Sequence, residues 1–88
     1  MSVYAINKLL YLTENDESFR QRIKSDPEKV LAETSLTSEE REALTSGDVL
    51  KLFEMGVHAF LLNNMGRHEL FGVNSQNYFP RVRGEETP

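Results

Sequence analysis

The stretch DPEKVLAETSLTSEEREALTSGDVLKLFEMGVHAFLL, running from Asp26 to Leu62, packs three helix-start signals and two glycine stops into fewer than forty residues. Asp26 and Pro27 open one helix, because the aspartate accepts free backbone N–H groups and a proline at the first helical position has no N–H to leave unpaired. Thr37 and Glu40 match the capping-box pattern, in which each side chain satisfies a backbone N–H near the other. Gly47 ends that helix by tolerating a positive φ, and Asp48 caps the next. The polar groups of this stretch are thus occupied with starting and stopping helices, and no catalytic chemistry is left on it.

Working outward, Val3, Ile6, Leu9 and Leu10 recur at helical spacing and predict a first helix from about Ser2 to Leu12, with Ser2 as its cap. Asp16 caps a second helix that places Phe19 and Ile23 on one face. Arg20, Arg22 and Lys24 fall toward its carbonyl end, where positive charge suits the dipole. Val30 and Leu31, then Ala43 and Leu44, are the apolar contributions of the next two helices. Val49, Leu50, Leu52 and Phe53 follow Asp48. Gly56 interrupts the helix, and Val57, Phe60, Leu61 and Met65 continue an apolar stripe. Phe53, Phe60, Leu61 and Met65 are expected in the core. Gly66 and Gly72 loosen the end of this helix, leaving Leu70 and Phe71 to dock on the core or on a partner. Asn74 and Ser75 cap a last turn through Tyr78 and Phe79, which Pro80 stops. No strand-length alternation of apolar and polar residues occurs. The expectation is an all-α, small single-domain bundle of five or six short helices over residues 1–83, with 84–88 a solvated tail.

Eighty-eight residues without cysteine exclude disulfides and thiolate metal sites, so a partner subunit is the most natural source of extra burial. The longest apolar run, Ala59 to Leu62, falls far short of the ~20 residues of a membrane span. The N-terminus lacks the features of a signal peptide, so a cytoplasmic protein with no membrane contact is expected. Net charge is −4, with ten acidic and six basic side chains in residues 1–50 and four of each in 51–88. Arg67, Arg81 and Arg83 make a thin basic tail rather than a phosphate-tracking stripe, and nucleic acid is not an expected ligand.

There is no nucleophile elbow, phosphate-cradling glycine loop or zinc-binding HExxH motif. His58 reads as a packed, hydrogen-bonded structural group, with a role at a partner's active site as the alternative. His68, between Arg67 and Glu69, reads as solvated, with proton handling as the alternative. Glu39, Glu40 and Glu42 read as helix-start and wet-face residues rather than an acid pair or metal cluster. The C-terminal half carries more apolar surface in Phe60, Leu62, Leu70, Phe71, Tyr78 and Phe79 than it can easily hide. Such a patch marks a binding surface, and aromatics with arginine are favoured there.

The progression Asp26-Pro27, Leu36-Thr37, Glu39-Glu40, Ala43-Leu44, Gly47-Asp48 and Gly56-Val57, continued by GVHAFLLNNMGRHELFG, resembles the LigA-type small (alpha) subunits of class III extradiol ring-cleavage dioxygenases over residues 3–83. The resemblance implies an accessory subunit in aromatic compound catabolism that is not catalytic alone. In that family a large beta subunit carries the non-haem Fe(II), held by two histidines and a glutamate, and the small subunit packs over the mouth of the site. No cofactor or metal is then expected on this chain. Phe60, Asn63, Asn64, Met65, Arg67, His68, Phe71, Tyr78 and Phe79 are the expected interface or active-site lid. Self-association is a further use of the same apolar surface. The recognition domain of split borosin precursors, substrates of a backbone N-methyltransferase, is similar in its DP…LT…GD…L progression. The continuation after Leu52 fits the dioxygenase subunit better, and the charged tail RVRGEETP lacks the apolar core of a methylated product. A helical interaction module with no enzymatic partner is the remaining alternative.

Overall fold

The computed structural model describes residues 3–86. Among them are seven α-helices and no strand: α1 (Tyr4–Asn15), α2 (Glu17–Ser25), α3 (Pro27–Ala32), α4 (Ser38–Thr45), α5 (Val49–Glu54), α6 (Ala59–Arg67) and α7 (Tyr78–Val82). The all-α expectation is borne out. The count exceeds five or six because the interrupted helix after Asp48 is two separate helices, α5 and α6. No helix is long and apolar enough to cross a membrane among the described residues.

The start signals act as their chemistry requires. Asp16, Asp26 and Asp48 each accept the backbone N–H three residues on, from Phe19, Lys29 and Lys51. The capping box closes at both ends: Glu40 N–H donates to Thr37 Oγ1 at 3.1 Å and Thr37 N–H to Glu40 Oε1 at 2.8 Å. The first helix runs on to Asn15, three residues beyond its expected end, and the Ser2 cap lies outside the described residues.

Four of the helices stop in one way. After α4, α5, α6 and α7 the N–H of the second residue past the cap reaches back five residues, to the carbonyls of Ala43, Leu52, Met65 and Pro80. This is the Schellman arrangement, whose pivot residue takes a positive φ and is usually glycine. Gly47, Gly56 and Gly84 serve α4, α5 and α7, whereas α6 pivots on Glu69 at φ 55°. A side chain held there costs about 1 kcal/mol. Glu69→Gly is therefore expected to raise stability by up to about 1 kcal/mol, allowing for the larger unfolded-state entropy of glycine. A melting temperature unchanged or lowered in a thermal scan counts against this.

Pro80 does not stop the last helix. It sits in the first turn of α7, where its missing N–H would have had no intrahelical partner. Asn74 does form a turn ahead of it, accepting from the N–H groups of Gln76 and Asn77.

The core collects Ile6, Leu9 and Leu10 of α1, Ile23 of α2, Leu31 of α3, Leu44 of α4, Val49 and Leu52 of α5, and Leu62 and Met65 of α6. Each such side chain contributes about 1.5–3 kcal/mol on burial. The expected core stripe is only half right. Met65 is fully buried and Leu61 partly so, but Phe53 and Phe60 are 50% and 77% exposed. Gly66 does not loosen α6. It lies inside the helix, where Tyr78 Cβ comes within 3.2 Å of the position a Cβ would take, so α7 closes directly on the α6 backbone.

Candidate functional site

The helix pair α1 and α6 organises the surface singled out by sequence. His58 starts α6: its Nδ1 accepts from Phe60 N–H at 3.2 Å, and its own N–H donates to Asn7 Oδ1 at 3.0 Å. Farther along, Asn64 Nδ2 donates to the Leu10 carbonyl at 3.0 Å. At the end, Arg67 Nη1 and His68 Nε2 meet the two oxygens of Glu14 at 3.0 and 2.6 Å. Residues 7, 10 and 14 thus pair in ascending order with 58, 64 and 67–68, so the two helices run parallel. His58 is exposed and acts as a helix cap rather than a packed core group. His68 is not solvated: its side chain is only 16% exposed and is fixed by Glu14.

A carboxylate only accepts, so His68 Nε2 carries the hydrogen in the bond to Glu14. This bond, helped by the Arg67 guanidinium and opposed by partial burial, holds the Glu14 carboxyl below the usual glutamate range. Around it, Arg20 donates to the carbonyls of Thr13 and Glu14 at 3.2 Å each, closing the end of α1, and Lys24 donates to the His68 carbonyl at 2.8 Å. The ends of α1, α2 and α6 are thereby tied into one corner.

The pH consequence has a definite sign. A folded-state pKa below the unfolded one stabilises the fold above the ordinary glutamate value, and the contribution is lost as pH falls through the lowered folded value. Wild type is therefore expected to hold an advantage over Glu14→Gln at pH 5–6 that shrinks steadily toward pH 3. Thermal melts of both proteins across that range check it, and a difference independent of pH counts against it.

Between the two helices lies an open groove of about 360 Å³, lined by Tyr11, Glu14 and Asn15 of α1 and by Phe60, Leu61, Asn63, Asn64 and Arg67 of α6. Phe60, Asn63 and Arg67, spaced three and four apart, share one side of α6 and line this groove. Met65 and Tyr78 are 0% and 7% exposed and hold the fold, and Asn64, at 5%, reaches the groove only at its floor. Phe71 is half-buried against the core at φ 53°. Phe79 stands 58% exposed on α7, its ring edge-on to Tyr78 at 5.2 Å, and does not line the groove. The expected lid residues therefore do not form one patch.

The sequence reading missed the α1 side of the groove. The signal was present: Tyr4, Lys8, Tyr11 and Asn15 recur at 4-3-4 spacing, opposite the buried Ile6, Leu9, Leu10 and Thr13. Among the described residues, no group of three or more His, Asp or Glu side chains is placed to hold a metal ion.

Comparison with known proteins gives this architecture its relatives. The sequence model of the family described as "Aromatic-ring-opening dioxygenase LigAB, LigA subunit" matches residues 6–88. Gallate dioxygenase of Pseudomonas putida is 32% identical over 82 residues, which cover 93% of this chain and 23% of that protein. The chain thus spans about a quarter of the length of that curated relative. A match over nearly the whole helical unit places the chain in the LigA subunit family of aromatic-ring-opening dioxygenases.

Proposed function

We propose that this chain is the small, non-catalytic component of an iron-dependent extradiol dioxygenase, acting with a larger catalytic chain and packing over the mouth of its active site. The observation that carries this is the relation of lengths: the unit matched here makes up 23% of a relative named for oxygenating gallate. In that relative the same unit is one part of a longer chain, which supports a role beside a larger body rather than alone.

The chain's histidines, His58 and His68, are engaged separately, one capping α6 and the other binding Glu14, and among the described residues no third ligand joins either. This donor set does not fit Fe(II), which in this proposal belongs to the partner. The work of this chain is to cover and to exclude. Phe60 supplies an apolar surface, and the Glu14–Arg67–His68 corner holds the end of α6 at a fixed angle to α1. Excluding water from a charged intermediate strengthens the electrostatic interactions that stabilise it. The substrate class is a catechol-type aromatic acid, and the compartment is the cytoplasm.

The test is reconstitution. Adding the purified chain to the ring-opening catalytic chain of the same organism is expected to raise oxygen uptake and the loss of aromatic absorbance. Unchanged rates at saturating concentrations of this chain would defeat the proposed role.

A further inference from the structure

A helix that buries one face of a soluble protein ordinarily shows water a polar one. α1 departs from this. Its inner residues Ile6, Leu9, Leu10 and Thr13 are buried, yet two tyrosines of its outer stripe, Tyr4 and Tyr11, stand 66% and 55% exposed. An open groove flanks the stripe on each side. One is the α1–α6 groove of about 360 Å³ that Tyr11 lines. The other, about 330 Å³, is lined by Tyr4, Lys8 and Leu12 of α1 together with Phe19 of α2 and residues 33–35. A ridge of side chains between two grooves is the relief into which a second helical layer interdigitates.

The charge on this face also differs from that of the chain. The protein carries a net −4, but the ridge itself carries the cation of Lys8 and no carboxylate; Glu33 lines the groove beside Phe19, and Arg67 is paired with Glu14 in the α1–α6 groove. Glu14, the carboxylate of that groove, is already committed to Arg67 and His68. Exposed aromatics beside long cationic side chains are the composition of interface centres.

We infer that α1 is the docking ridge by which this chain seats on its catalytic partner, whose matching surface is helical, apolar at its centre and carboxylate-bearing at its rim. The inference rests on the proposed subunit role and adds the surface that performs it. The occupant is set by length as well as chemistry. In the gallate dioxygenase relative about three quarters of the chain lies outside the matched unit, so a body much larger than the unit accompanies it there.

The test measures the affinity of the full chain for the ring-opening catalytic chain of the same organism, by calorimetry or surface binding. Tyr11→Ala and the double change Tyr4→Ala with Tyr11→Ala are expected to weaken binding at least tenfold. Lys8→Glu is expected to slow association and flatten its salt dependence. Phe53→Ala, exposed on α5, is the control and leaves binding unchanged. Circular dichroism verifies that each variant is folded. Wild-type binding that survives the α1 changes would overturn the docking ridge and leave the subunit role standing. No wild-type binding at all would remove both. A wild-type chain that self-associates in sedimentation, and loses this in Tyr11→Ala without loss of partner affinity, would assign the ridge to a second copy instead.

Discussion

Gly47→Ala is expected to destabilise the chain by about 2–4 kcal/mol, the sum of a left-handed backbone strain and an overpacked contact. Gly47 sits at φ 70°, where any β-carbon is strained. A Cβ built there would also lie 2.5 Å from the Phe71 carbonyl oxygen and 2.7 Å from Arg81 Nη1. The arginine tip can swing aside, at the expense of its 3.2 Å bond to the Gly47 carbonyl. The Phe71 carbonyl cannot move so easily, because it is backbone and Phe71 itself is held at φ 53°. One residue thus joins the α4–α5 corner to the 71–73 loop and to α7. For a domain of this size the melting temperature is expected to fall by about 10 °C or more. A loss below about 1 kcal/mol in denaturant unfolding would mean that the loop yields and the close approach is not a constraint.

The same residue shows what was legible in the sequence. Gly47 as a stop, and Asp16, Asp26, Thr37 with Glu40, and Asp48 as starts, were readable because capping is a contact between residues two to four apart. The devices that position the candidate site are of another kind. The turn that stops α6 pivots on Glu69, a residue without the glycine signature, and Lys24 of α2 binds the neighbouring His68 carbonyl. The start of α6 depends on a histidine cap, and histidine is not among the residues that usually announce one. Glu14 and His68 are 54 positions apart, and no periodicity joins them. Pro80 was misread because one residue is a breaker inside a helix and harmless in its first turn. The family was legible in the caps, whereas the groove required knowing that α1 and α6 lie side by side.

Two substitutions two residues apart on α6 are expected to separate folding from function. Leu62 is fully buried, and Leu62→Ala removes three carbons from a packed site, an expected loss of about 2–5 kcal/mol. Set against the roughly 5–15 kcal/mol that holds a small domain together, that leaves the isolated chain marginal. Phe60, on the other side of the helix, has 77% of its surface in water. Its truncation to alanine is expected to change stability by no more than about 0.5 kcal/mol, as for other exposed positions. In the assembled enzyme the order reverses. Under the proposed role, Phe60→Ala is expected to lower the ring-opening rate at saturating subunit, because the apolar cover proposed for this face is lost while the fold persists. Leu62→Ala lowers the rate only as far as it unfolds the chain, so cooling or a higher subunit concentration restores it. Melting curves of the free chains and oxygen uptake by the reconstituted complex, measured side by side, decide the matter. A Phe60→Ala complex as active as wild type would show that this face of α6 is turned away from the chemistry.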